Sequence, residues 1–172
     1  MTASANRLSW AQARDPLVLI ACGFGSGFIR PAPGTWGTVA ALLLWWWLLA
    51  PLEPPLQLLI VIATYLFGGV ISGIVCRRYG VQDPGAIVID EFVGLWVTLL
   101  GFNREWWVFA LLGFALFRFF DIVKPWPVGW ADRTWHGGFG VMADDLVAGC
   151  LAALVLQVAF FVFILNAAGR LF

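Results

Sequence analysis

An all-α polytopic membrane bundle is the fold class this sequence predicts, on three observations. The 172 residues are 62% hydrophobic and only 12% charged, with a mean hydropathy of +0.89. A soluble domain carries roughly 25% charged residues, so too few remain here to coat a water-facing surface. Two stretches, 56–75 and 146–165, are long, apolar and free of charge, each about the ~20 residues that cross ~30 Å of hydrocarbon. Finally, the chain holds 11 Trp and 15 Phe, aromatic residues that suit a bilayer and its headgroup level.

Around those two spans the other elements fall into place. Segment 38–52 contains LLLWWWLL and ends at the Pro51-Leu52-Glu53-Pro54-Pro55 turn, which predicts an antiparallel neighbour for 56–75. Segment 86–102 carries Asp90 and Glu91 in its first turns, and 106–120 follows the short Asn103-Arg104-Glu105 turn. Asp83 with Pro84 reads as the helix start for 86–102, the carboxylate capping free amides and Pro in the first turn. Segment 16–29 is apolar but broken by Gly23, Gly25 and Gly27, so it predicts a short interfacial or re-entrant helix. The sum is about five crossing helices in one domain, 1–172, with a polar segment 1–15 that lacks the apolar run of a cleavable signal.

Arg and Lys set the orientation. With the N-terminus inside, Arg7, Arg14, Arg30, Arg77, Arg78, Arg118, Lys124 and Arg133 are cytoplasmic and Arg170 is outside. Of the ten acids, only Glu53 and Glu105 fall on the outer side. Acids at the membrane are expensive when they face lipid, so a cluster of them at one face points to a working site.

Three charged motifs carry that site. In 83–94, Asp90 and Glu91 lie in an otherwise apolar helix, and Gly94, four residues after Asp90, allows another helix to approach. A headgroup collar is the alternative account of this pair, and the pair's place inside an otherwise apolar helix makes that account the weaker one. In 117–127, Arg118, Asp121 and Lys124 recur every three residues along one helix side. They form either a structural ion-pair ladder or an acidic ligand between two cations that grip phosphate oxygens. In 136–149, a glycine-rich loop leads to adjacent Asp144 and Asp145. A helix N-terminus favours such charge, yet two neighbouring carboxylates repel, and a divalent cation relieves that. Gly149, four after Asp145, repeats the spacing of Gly94 to Asp90.

A fourth segment, 23–38, is rich in Gly with Ser26 and Thr35 as hydroxyl donors. Such loops turn amides toward phosphate, although close helix packing explains them equally. His136 is the only histidine and suits capping as well as phosphate contact. Oxygen-only ligands beside Arg and Lys suit Mg²⁺ rather than zinc. The three cysteines, Cys22, Cys76 and Cys150, have no metal or disulfide spacing and read as small apolar residues. A formal net charge of zero gives no sign of a nucleic-acid partner, and nothing fixes an oligomeric state.

Taken together, GFGSGFIRPAPGTWGT (23–38), DPGAIVIDEFVG (83–94), FRFFDIVKPWP (117–127) and HGGFGVMADDLVAG (136–149) resemble the phosphatidylglycerophosphatase A family. They occur in family order. The resemblance implies a bacterial inner-membrane, Mg²⁺-dependent enzyme that converts phosphatidylglycerophosphate to phosphatidylglycerol and phosphate on the cytoplasmic face. On that reading Asp90, Glu91, Asp144 and Asp145 bind Mg²⁺, with Asp121 as a nearby ligand or water-orienting group. Arg118 and Lys124 bind the terminal phosphate, helped by Ser26, Thr35 and His136. A small ion-coupled transporter is the alternative, since intramembrane acids also serve ion paths. A structural subunit whose charges merely pair is the third reading.

Overall fold

The computed structural model describes residues 7–169, and all their regular structure is helical. Arg170 lies outside the described residues. A 3₁₀ turn at Trp10–Arg14 leads to α1, Pro16–Ala21, which Asp15 caps by accepting from the Leu17 amide at 3.0 Å. A second 3₁₀ segment, Gly23–Phe28, is broken by left-handed backbone at Phe24 (φ 56°) and Gly25 (φ 99°). These breaks stop 16–29 from forming a span.

Helix α2, Pro33–Leu44, continues as a π-helical turn, Trp45–Leu49. After the predicted Pro-rich turn comes α3, Pro54–Tyr79. Helix α4 covers Ile89–Thr98, α5 Trp107–Val123, α6 Val128–Thr134 and α7 Gly137–Ala168. Three of the described helices are long and apolar enough to cross a membrane: Pro54–Tyr79, Arg104–Val123 with its 3₁₀ start, and Gly137–Ala168. The other two predicted spans are shorter. Helix α4 has ten residues, about 15 Å at 1.5 Å per residue.

The start of α4 is a correction to the sequence reading. Asp83 and Pro84 cap no helix. Asp83 takes a left-handed backbone (φ 42°), and the Pro84 carbonyl accepts from the Ile87 amide at 2.8 Å, closing a turn. The Val88 amide then donates to Ala21 O at 2.9 Å, pinning the loop to α1, and the helix begins one residue later.

Helix α4 is sheathed on most sides. Phe92, Val93, Leu95 and Trp96 are buried, and the helix packs mainly on α7 and also on α2, α3 and α5. Its parallel crossing with α7 is close because both faces are glycine. A Cβ at Gly149 would stand 3.0 Å from the Gly94 Cα, and one at Gly94 would stand 2.8 Å from Asp145 O. This is the approach that the Asp–x₃–Gly spacings predicted. By contrast α7 runs antiparallel to α3, with Met142 against Gly68 and Gly138 against Gly73.

The far end of the bundle is tied by a residue the sequence reading passed over. Gln57 is buried, and its amide nitrogen donates to Leu49 O, Leu52 O and Phe102 O at 3.1, 3.1 and 3.2 Å. Its carbonyl accepts from the Gly101 amide at 2.9 Å. One side chain thus ties four backbone groups of two turns together, the two amide hydrogens being shared among three carbonyls. Arg104 adds a bond to Trp46 O at 2.8 Å.

Candidate active site

Helix direction gathers the charges at the opposite end. The first turn of α4 carries Asp90 and Glu91, the end of α5 carries Arg118 and Asp121, and Lys124 follows it. Asp144 and Asp145 stand two turns into α7. Gly138 of α7 packs on Gly73 of α3, and α3 runs on to Tyr79. The remaining six residues rise about 9 Å, so the α7 carboxylates lie below a rim.

Two charged groups form there, joined through Asp121. In the first, Arg118 Nη1 reaches Glu91 Oε2 at 2.5 Å and Asp121 Oδ2 at 2.8 Å. Thr38 Oγ1 donates to the same Glu91 oxygen at 2.7 Å and lies 3.4 Å from Arg118 Nη1. Gly34, at the start of α2, leaves room for this group, since a Cβ there would stand 3.2 Å from Arg118 Nη1 and would also meet Glu91 Oε1. Arg118 Nε is buried without a partner.

The second group is acidic. Oxygens of Asp121, Asp144 and Asp145 all lie within 4.8 Å of one another. Asp145 is 4% exposed, and among the described residues it makes no ion pair. Asp90 is close enough to interact electrostatically with Asp144 and Asp145. Lys124 Nζ donates to Asp144 Oδ2 at 2.7 Å and to Asp132 Oδ1 of α6 at 2.6 Å. Burial would lower the Lys124 pKa, but these two carboxylates outweigh it and hold the group above the usual lysine range. Lys124 therefore stays charged.

Thus Asp121, Asp144 and Asp145 come together, while Glu91 bonds Arg118 and Thr38 and lies near enough to Asp121 and Asp145 to interact with them electrostatically. Ser26 Oγ donates to its own loop, at Gly23 O (2.8 Å), and His136 Nδ1 lies 3.1 Å from Thr134 O. Thr35 is half-buried on α2, one residue from Gly34. Thr38 and Asp132 are the partners that sequence reasoning missed. Thr38 closed the first glycine motif and Asp132 sat among the inner acids, but neither carried a signal of its partner.

A cavity of about 550 Å³ opens onto Asp144, with Arg77, Asp83, Asp132 and His136 on its walls. The donor set is wholly oxygen, and its clustered carboxylates outnumber the cations that reach them. A hard divalent cation fits such a set.

The family model for phosphatidylglycerophosphatase A matches residues 19–160. The chain belongs to the phosphatidylglycerophosphatase A family. It is 41% identical over 151 residues to a phosphatidylglycerophosphatase A of Haemophilus influenzae, covering 88% of this chain and 93% of that protein. With the Escherichia coli K12 phosphatidylglycerophosphatase A it shares 42% identity over 142 residues, covering 83% of this chain and 82% of that one. A Bacteroides thetaiotaomicron protein named, provisionally, as a phosphatidylinositol-3-phosphatase is 38% identical over 148 residues, covering 83% and 92%. No solved structure matches the chain. Membership in the phosphatidylglycerophosphatase A family makes this a phosphatase, and its three span-length apolar helices associate it with the membrane.

Proposed function

We propose that the chain is a Mg²⁺-dependent lipid phosphatase of the bacterial inner membrane, acting at the cytoplasmic face. It would hydrolyse the terminal phosphomonoester of phosphatidylglycerophosphate to phosphatidylglycerol and phosphate. The observation that carries this reading is the carboxylate triad of α5 and α7, set beside two fixed cations at one end of an apolar bundle. The relatives' names supply the lipid.

Asp121, Asp144 and Asp145 would hold the ion, with Asp90 beside them. Bound Mg²⁺ would supply charge to polarise the phosphoryl oxygens. Arg118, gripped by Glu91 and Asp121, keeps Nε free as a donor to a phosphate oxygen. Lys124, with two of its three ammonium donors taken by Asp132 and Asp144, would offer the third to a phosphate oxygen. Hydrolysis breaks the ester P–O bond; the glycerol oxygen departs with the bonding pair and takes a proton, and an oxygen nucleophile makes the new bond to phosphorus.

The test is phosphate release from purified protein in mixed micelles of phosphatidylglycerophosphate. Asp121→Asn and Asp145→Asn should each cut the rate by about 100-fold or more, as loss of a group that stabilises transition-state charge does. EDTA should abolish release and Mg²⁺ restore it. Near wild-type release by both variants would sink the assignment. No observation favours the carrier reading: the acids of the site gather at one end of the bundle, and the far end is closed by Gln57.

A further inference from the structure

A second cavity, of about 730 Å³, lies across Asp83 from the one that opens onto Asp144. Arg7, Ser9, Trp10, Phe28 and Arg30 line it, and Asp83 belongs to both walls. Asp83 also senses the charges of Asp144 and Lys124, so the two chambers are electrostatic neighbours. The two cations beside the carboxylate triad, Arg118 and Lys124, are each engaged by two acids, whereas Arg7 and Arg30 are exposed and, among the described residues, have no ion pair or hydrogen bond.

The cavity is a built feature. The Trp10 and Phe28 rings pack with centroids 4.8 Å apart. Gly25, at φ 99°, admits the Trp10 ring, which a Cβ there would approach to 2.9 Å. Gly27 lies so close to Ala86 O that a side chain would collide with it, which locks the aromatic wall against the loop that carries Asp83. Trp10 itself is 61% exposed, and an exposed Trp beside two arginines suits the headgroup level of a bilayer.

We infer that this chamber binds the phosphodiester of the lipid, while the phosphomonoester lies over the carboxylates on the other side of Asp83. The inference rests on the lipid-phosphatase reading and deepens it. A guanidinium fork matches two phosphate oxygens, and two unneutralised forks suit an anion that is never hydrolysed. The chamber then selects lipids that carry a phosphodiester one polyol away from the phosphomonoester. Phosphatidic acid, whose single phosphate is the monoester, would leave it empty.

The experiment compares the intact protein with the Arg7→Ala/Arg30→Ala double variant on phosphatidylglycerophosphate and on phosphatidic acid in the same micelles. The double variant should raise KM for phosphatidylglycerophosphate about 10-fold with kcat within about twofold, the pattern of lost uniform binding. Any hydrolysis of phosphatidic acid should be unchanged. The Arg7→Lys/Arg30→Lys variant, which keeps charge and loses the fork, should fall between. An unchanged KM, or an equal loss on both lipids, overturns the inference.

A binding arm stands apart from catalysis. Dihexanoyl phosphatidylglycerol should raise the thermal midpoint of the intact protein and not that of the double alanine variant. No shift in the intact protein also overturns the inference. Failure of the phosphatase reading would look different: the intact protein would release no phosphate while the lipid still raised its midpoint.

Discussion

Thr38 shows how a neutral side chain sets a charged one. Its hydroxyl donates to Glu91 and lies beside Arg118, so the Glu91 carboxylate is held in one position before any ligand arrives. Thr38→Val keeps the shape and removes the donor, leaving a buried carboxylate oxygen short of a bond. The expected loss is about 1–3 kcal/mol of stability, read as a lower thermal midpoint in detergent. A 3- to 10-fold drop in phosphate release should accompany it, estimated roughly from the modest cost of loosening one positioning contact. Unaltered stability and activity would show that Glu91 needs no such anchor.

This contact was out of reach in the sequence because 53 positions separate the partners. Hydroxyl residues occur throughout apolar helices, and only the fold says which one faces an acid. Asp132 was hidden for the same reason. Asp144 and Asp145 were legible because their repulsion is a neighbour effect, written in adjacent letters. Arg118 and Asp121 were legible as a stripe, since helical periodicity places residues three apart on one side, but Lys124 lies past the helix end with left-handed backbone (φ 48°), so periodicity does not place it. What the stripe could not say is which acid each cation would choose.

At the scale of elements, the α4–α7 crossing decides where the carboxylates meet. Gly94 and Gly149 remove the side chains that would hold the two backbones apart, as small residues do in membrane helix pairs. Gly149→Ala should push α4 away from α7 and cost about 1–3 kcal/mol, the usual penalty of overpacking. Because Asp145 lies one turn from the contact, phosphate release should fall more steeply than the thermal midpoint does. Retained activity with a normal midpoint would mean that the crossing has slack. The glycine spacing foretold this contact, whereas the start of α4 was misread. Asp-Pro is as good an opening for a turn as for a helix, and here the Ile87 bond to Pro84 and the Val88 tether on Ala21 hold the turn.

For the whole molecule, the two ends are held by opposite kinds of force. Amide-to-carbonyl bonds from Gln57 close the far end, and they are neutral and indifferent to ions. At the near end three carboxylates crowd within 4.8 Å, a grouping that like-charge repulsion opposes until a cation compensates it. Hydrogen exchange should therefore respond to Mg²⁺ on one side only. Chelation is expected to speed exchange of amides in 137–145 and 118–124 by about 10-fold or more, an opening cost of the size typical of local unfolding, while 99–103 stays as slow as before. Equal response at both ends would contradict this picture.

The Gln57 clamp thus makes the bundle a clothes-peg. Its pivot is a single amide side chain, its mouth holds three crowded carboxylates, and on the proposed reading a cation seated between them would pull the mouth shut.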